Sequence, residues 1–296
     1  MQADKSTQWH IGVIGGSGLS AGIELENAQA IQVNSPFGLP SGMVTTGTLH
    51  GVRFSFLARH GAGHRIPPSD LNYRANIDVL KRCGVTDVLS LSAIGSLREE
   101  MAPGHFTMVD QFIDRTHGRE NSFFGTGLVA HVSLADPVCP RLSQLAMEAA
   151  RATGATVHPA ATYVAIEGPQ FSTRAESRMY RGWGADVIGM TAMPEARLAR
   201  EAELPYAVLG MVTDYDSWRD FGAAVEVSHV LEVMEHNAQL ARAAVEEFAR
   251  RLPAEREASP IDTTLDNALV TPQNLRDPAL VMKLDAIARR LFGERY

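Results

Sequence analysis

The chain has 296 residues, of which 45% are hydrophobic and 21% charged, with a formal net charge of -7 and a pI near 5.8. Such a chain can bury a substantial core, and the charge excludes the basic footprint that a nucleic-acid backbone requires. No apolar run approaches bilayer length, and the polar first residues lack the apolar stretch of a signal peptide, so the expectation is a cytoplasmic protein with neither a membrane nor a nucleic-acid partner.

In chain order, residues 10–14 form an apolar strand that ends in Gly15-Gly16-Ser17-Gly18, and residues 53–58 form a second that ends in Arg59-His60-Gly61. Residues 72–83 have helical spacing, with Tyr73, Ile77 and Leu80 on one face. A strand over 87–94 closes at Gly95-Ser96. A helix over 141–153 carries Leu142, Leu145 and Ala149, and a strand over 163–166 leads into Glu167-Gly168-Pro169. There follow a helix over 174–182, a short strand over 186–189, a helix over 194–202 with Pro near its first turn, and the apolar strand 205–213. The longest helix spans 228–252, with Leu231, Met234, Ala241, Val245 and Phe248 as its stripe. Residues 253–273 are Pro-, Thr- and Asp-rich and read as irregular. A last amphipathic helix starts at Asp277-Pro278 with Leu280, Leu284, Ile287 and Leu291 on its apolar side. Alternating strands and helices imply an α/β fold: one domain over 1–252, a mixed twisted β-sheet flanked by helices, and an extension over 253–296.

The cysteines, Cys83 and Cys139, form no C-x-x-C pair, so neither that type of zinc site nor a disulfide framework is expected. The chemistry gathers instead where strands end, which is where open α/β sheets bind ligands. Gly15 to Gly18 could approach an anion with backbone N–H groups, although a plain tight turn needs the same glycines. The spacing is not G-x-G-x-x-G, which disfavours a dinucleotide-dependent oxidoreductase. Arg59 offers a planar fork that suits phosphate, and His60 adds a donor or a second charge. Asp214-Tyr215-Asp216 places two carboxyls at the end of the most apolar strand, where a turn or cap would also explain them.

Together the motifs resemble the trimeric purine nucleoside phosphorylase superfamily, and within it the methylthioadenosine phosphorylases. The residues that carry the resemblance are Ile14–Leu19, Leu57–Gly61, Asn72–Asn76, Gly95–Glu100, Asp110–Thr116, Glu167–Glu176, Gly189–Thr191 and Thr213–Asp216, in order and with the family's spacing from about 10 to 250. The resemblance implies the nucleoside phosphorylase fold, and a homotrimer or a dimer of trimers with sites near subunit interfaces. It implies phosphorolysis of 5′-methylthioadenosine in methionine and purine salvage, with inorganic phosphate as co-substrate and no cofactor or metal. Ser17, Arg59, His60, Ser92, Ala93 through its N–H, and Thr191 would hold phosphate. Met190 would lie against the ribose, and Phe171 and Ser172 would shape the purine pocket. Val227 and Val230 would border the methylthio group, closed by His131 of an adjacent subunit. Asp214 and Asp216 would face the base.

Adenine presents an acceptor at N7 beside a donor at its amino group. A protonated Asp214, its pKa raised by burial and by Asp216, could satisfy both, whereas a 6-oxopurine presents two acceptors. The alternative reading is a phosphorylase of 6-oxopurine nucleosides or of methylthioinosine.

Overall fold

The computed structural model describes residues 7–16, 22–219 and 227–292, without the side chains of 227–232. In chain order the elements are β1 (His10–Gly15), β2 (Glu26–Ile31), β3 (Val44–Leu49), β4 (Val52–Ala58), α1 (Tyr73–Arg82), β5 (Asp87–Ser96), β6 (Phe106–Val109), β7 (Gln111–Asp114) and α2 (Pro140–Ala152). They continue with β8 (Val157–His158), β9 (Thr162–Ala165), α3 (Arg174–Gly182), β10 (Val187–Gly189), α4 (Ala192–Glu201), β11 (Tyr206–Asp214), α5 (Val227–Arg251), α6 (Pro278–Lys283) and α7 (Arg289–Phe292). Among the described residues the strands form one 11-stranded mixed sheet, the α/β architecture read from the sequence.

Strand parity divides the core. Ile11 and Val13 of β1, with Ala207, Leu209 and Met211 of β11, pack with Leu142 and Ala149 of α2 and Val245 and Phe248 of α5. The alternate residues Ile14, Val208 and Val212 face the other way, against Ile77 and Leu80 of α1 and Ala196 and Leu198 of α4. With helices on both faces, β1, β5 and β11 are buried throughout much of their length, which is why β1 and β11 are nearly continuous apolar runs and the polar residues of β5 are mostly small serines.

β5 is the centre. It runs parallel to β1 on one side and to β11 on the other, and β1 in turn runs parallel to β4. The C-terminal ends of β1, β4, β5 and β11 therefore share one edge of the sheet. β1 pairs with β5 only as far as Ser90, and β10 joins the same side of β5, antiparallel, at Gly95 and Ser96. Among the described residues the stretch between has no strand on that side.

The helix ends follow the sequence. Asn72 caps α1 by accepting from the Ala75 N–H, and Thr173 with Glu176 forms a reciprocal capping box at α3. Two expectations are corrected. The strands β2, β3, β6, β7 and β8 were not foreseen; they are short, exposed at an edge, or interrupted by polar residues. The single C-terminal helix is instead α6 and α7, separated at Leu284–Ala288. There Asp285 is drawn to Arg82, and Arg290 beyond it pairs with Glu203, while Leu284, Ile287 and Ala288 turn into the core. Asp277 does cap α6, accepting from the Ala279 N–H.

Candidate active site

Of the anion-binding residues expected at the shared strand edge, Ser17 lies outside the described residues. Arg59 leaves the end of β4 with its backbone N–H bonded to the Gly15 carbonyl at 2.9 Å. Its side chain points down into the α1/α4 face and is 3% exposed. Nε donates to Glu195 Oε2 at 2.8 Å, and Nη2 donates to Glu195 Oε1 at 3.0 Å and to Ser90 Oγ at 2.7 Å. Nη1 donates to the Leu91 carbonyl at 3.1 Å. Burial opposes the charge on Arg59, but the adjoining Glu195 carboxylate more than offsets it and holds the guanidinium protonated. The fork expected to face phosphate is thus turned largely toward a carboxylate.

The Leu91 carbonyl also orients the backbone. In a strand the N–H and C=O of alternate residues point to the same side. Leu91 points into the open side of β5 between β1 and β10, and Ala93 two residues on points its N–H there too. β10 runs antiparallel to β5, pairing Val187 with Ser96 and Ile188 with Gly95, and the chain continues from Gly189 into Met190 and Thr191. The hydroxyl of Tyr163 accepts from the backbone N–H of Thr191 at 3.4 Å. Thr191 stands at the N-terminus of α4 and its side chain makes no capping bond, so the hydroxyl is not consumed by the helix.

His60 is buried, with Nδ1 at 2.8 Å from the Ile66 carbonyl and its ring stacked on His64. A carbonyl only accepts, so the proton is placed on Nδ1 and Nε2 carries a lone pair. Burial lowers its pKa to about 4, assisted by Arg59 and His64 and opposed by the Ile66 carbonyl. Of the two readings of His60, a donor or a second positive charge, the charge is absent at neutral pH. Nε2 can accept from a protonated phosphate oxygen.

On the base side, Asp214 ends β11 over Gly95, where an added Cβ would meet Asp214 Oδ1 at 3.0 Å. Oδ1 accepts from the Asp216 N–H at 2.8 Å and Oδ2 from the Thr213 hydroxyl at 2.7 Å. Asp216 has φ 47, which turns its side chain back beside α3. Its pKa is raised, first by burial and then by Asp214 and Glu176, with Ser177 and the Ser217 N–H opposing. Its Oδ2 is buried near the Ser177 hydroxyl without a well-formed hydrogen bond, and Ser172 Oγ is likewise buried and unpartnered among the described residues. Such orphans cost about 1–3 kcal/mol each unless a ligand satisfies them. Phe171 is 44% exposed at the mouth. Trp218 donates from Nε1 to the Ser96 carbonyl, which fixes its ring beside the same strand end.

Met190 lies between these two clusters against Gly168, whose φ is +68 and whose added Cβ would sit 2.4 Å from Met190 Sδ. Arg119, absent from the sequence-level set, clamps this region. Its Nη1 donates to the Met190 and Met193 carbonyls and to Tyr73 Oη, Nη2 to the Glu167 carbonyl, and Nε to Glu167 Oε1. Glu195 and Arg119 were missed because a side chain's partners far along the chain leave no local signature. The one available clue was that an Arg following a largely apolar, buried stretch needs a buried counter-charge.

His131 is exposed and its backbone N–H donates to Ala268; among the described residues its side chain hydrogen-bonds to neither cluster. The side chains of Val227 and Val230 lie outside the described residues, although α5 begins at Val227. Among the described residues no three His, Cys, Asp or Glu side chains are grouped as a metal site, and no helix is long and apolar enough to cross a membrane.

Residues 10–250 match the Phosphorylase superfamily model. The chain is 56% identical to an S-methyl-5′-thioadenosine phosphorylase of Cereibacter sphaeroides over 95% of this chain and 98% of the relative. It is 54% identical to one of Bradyrhizobium diazoefficiens over 96% and 99%. A solved methylthioadenosine phosphorylase from an antarctic soil metagenomic library superposes with a TM-score of 0.87 at 43% identity, covering 95% of this chain and 99% of that one. A point mutant of the Schistosoma mansoni adenosine/methylthioadenosine phosphorylase, solved with methylthioadenosine, gives 0.77 at 37% identity over 84% and 93%.

Proposed function

Because this chain belongs to the Phosphorylase superfamily, we propose that it is a pentosyltransferase that cleaves S-methyl-5′-thioadenosine with inorganic phosphate, giving adenine and 5-methylthioribose 1-phosphate. The observation that carries the adenine assignment is the pair of carboxyls at the end of β11, one held by two donors and the other buried with a raised pKa.

The C1′–N9 bond breaks as a phosphate oxygen approaches C1′, so positive charge develops on the ribose and negative charge on the purine. Phosphate lies over the open side of β5, held by the Ala93 N–H, the Ser92 and Thr191 hydroxyls, Ser17 and a corner of Arg59. His60 accepts from a phosphate O–H. The anion lies against the developing cation and stabilises it electrostatically. Met190 forms the ribose wall.

The base is received by the two carboxyls. Asp214 is oriented by the Thr213 hydroxyl and the Asp216 N–H, and Asp216 is the carboxyl that burial prepares to hold a proton. One proton shared by this pair reaches N7, and the carboxylate oxygens accept from the 6-amino group. Ser172 Oγ and Asp216 Oδ2 gain in the purine the partners they lack. A 6-oxopurine would turn a second acceptor toward an acceptor, at about 1–3 kcal/mol, or roughly tenfold to a hundredfold in preference. Val227, Val230 and, from an adjacent subunit, His131 enclose the methylthio group. The reading requires no cofactor, and the assembly is a homotrimer or a pair of trimers.

Base release from methylthioadenosine, inosine and methylthioinosine, each with and without phosphate, tests the reading. Phosphate-dependent adenine release should dominate. In Asp214→Asn an amide N–H would face either the Thr213 hydroxyl or the Asp216 N–H, and adenine release should fall by about a hundredfold or more. Efficient cleavage of inosine with methylthioadenosine left intact would overturn the assignment.

A further inference from the structure

Glu195 is 2% exposed on its side chain and accepts from four donors. Oε2 takes Arg59 Nε; Oε1 takes Arg59 Nη2, the Ser90 hydroxyl at 2.8 Å and the Tyr206 hydroxyl at 2.8 Å. Ser90 is itself an acceptor for Arg59 Nη2 at 2.7 Å. The cluster is closed: three elements, β5, β11 and α4, converge on one guanidinium arriving from the end of β4.

A buried ion pair is weak evidence of stabilisation, since an apolar pair of similar volume often does as well. Placement is more telling. Glu195 follows Thr191 by four residues, across the extended Met193 at the start of α4, so one short segment carries both a hydroxyl at the phosphate site and the carboxylate beneath it. Arg59 Nη1 spans to the Leu91 carbonyl, on the open side of β5 toward which Ala93 points its N–H. Of the hydrogens on Nη1, one has no acceptor among the described residues. The Nε and Nη2 edge, which would otherwise make a bidentate grip on an oxyanion, is occupied.

We propose that Glu195 is a positioning residue for the nucleophile: it fixes the Nε and Nη2 edge of Arg59 so that only the Nη1 corner is offered to phosphate. The inference rests on the phosphorolysis reading and deepens it at the anion subsite. A long arginine held in one rotamer spends no ordering entropy when phosphate arrives, and it places the anion by a single hydrogen bond beside the Ala93 N–H. Glu195 also balances the Arg59 charge, so the nucleophile is not held against a bare buried cation.

The test uses the full-length enzyme and steady-state kinetics in which phosphate and methylthioadenosine are varied separately. In Glu195→Gln the side chain keeps its volume but turns an amide N–H toward the guanidinium. The KM for phosphate should rise about tenfold while the KM for methylthioadenosine stays within about threefold. In Tyr206→Phe, Glu195 keeps its charge and loses one donor, and the phosphate KM should rise about threefold. Where Glu195→Gln does not fold, Tyr206→Phe decides. A phosphate KM within about twofold of the parent, a fall in phosphate KM, or a rise of both KM values in step would each overturn the proposal, since a purely structural role predicts parallel losses. Should the parent enzyme fail to cleave methylthioadenosine, the functional reading falls by itself. Calorimetric titration of parent and Glu195→Gln with inorganic phosphate then still decides the role of Glu195.

Discussion

His10 and His60 are both buried histidines whose pKa values are lowered to about 4, first by burial in each case. Their ordinary value is near 6.5, so between about pH 6.5 and 4 the unfolded chain binds protons that the folded chain refuses. Stability supplied by the neutral rings is full above 6.5 and is lost as pH falls toward 4. Glu201 acts with the opposite sign: burial pushes it up to about 7, so its contribution is present at low pH and lost as pH rises through 7. Comparing variants isolates one term. His10→Gln can still hydrogen-bond Ser55, which His10 meets at 2.9 Å. Urea-unfolding free energies followed from pH 4 to 6.5 should show a slope smaller than the parent's by about one proton. An unchanged slope would mean that His10 is charged in the folded state. At this scale the sequence reading named residue types and was blind to their partners. Arg59-His60 could be read as an anion-site motif, but Glu195 stands 136 residues away and nothing near it marks it as the counter-charge.

The elements around the site show what a period-based reading can and cannot find. The strands that carry Arg59, Ser92 and Asp214 were legible because long buried stretches make them predominantly apolar, interrupted in β4 and β5 by buried serines. β6 and β7 were not, because they are four residues each and flank a polar break at Asp110. α4 was legible as a helix, yet Met193 within it has φ -117 and ψ 133, an extended residue that breaks the first turn beside Thr191. Beside that kink Arg119 donates to both the Met190 and Met193 carbonyls. The guanidinium also holds Glu167, so one side chain joins the Met190 segment to the loop that begins at Glu167. Lysine keeps the charge and loses the planar fork. In Arg119→Lys the KM for the nucleoside should rise about tenfold while that for phosphate changes by less than about twofold. A nucleoside KM equal to the parent's would leave the clamp with a folding role alone.

Across the whole molecule, residues 253–292 are part of the core more than an appendage. Arg256 is buried between Asp87 and Asp262, and Ile261, Leu265, Val281, Leu284 and Ile287 join the two main apolar clusters. Amphipathic spacing announced the burial of this segment but not its path, since short turns held by charge pairs have no period. The path has a functional consequence. Leu269 bridges Ala130, and Ala268 accepts from the His131 N–H, so the C-terminal segment fixes the exposed stretch that carries His131. A histidine held rigidly at the surface, away from its own carboxyl pair, suits a group that completes a neighbour's site in a cyclic assembly. Subunit mixing tests this. His131→Ala and Asp214→Asn each inactivate every site of a homotrimer to the extent that each residue matters. When the two variants are unfolded and refolded together, a site has both residues intact only if an Asp214-bearing subunit meets a His131-bearing neighbour. With random assembly that occurs at about a quarter of sites, so activity should recover to roughly a quarter of the parent level. If His131 instead served the site of its own chain, every site would lack one residue or the other, and mixing would restore nothing.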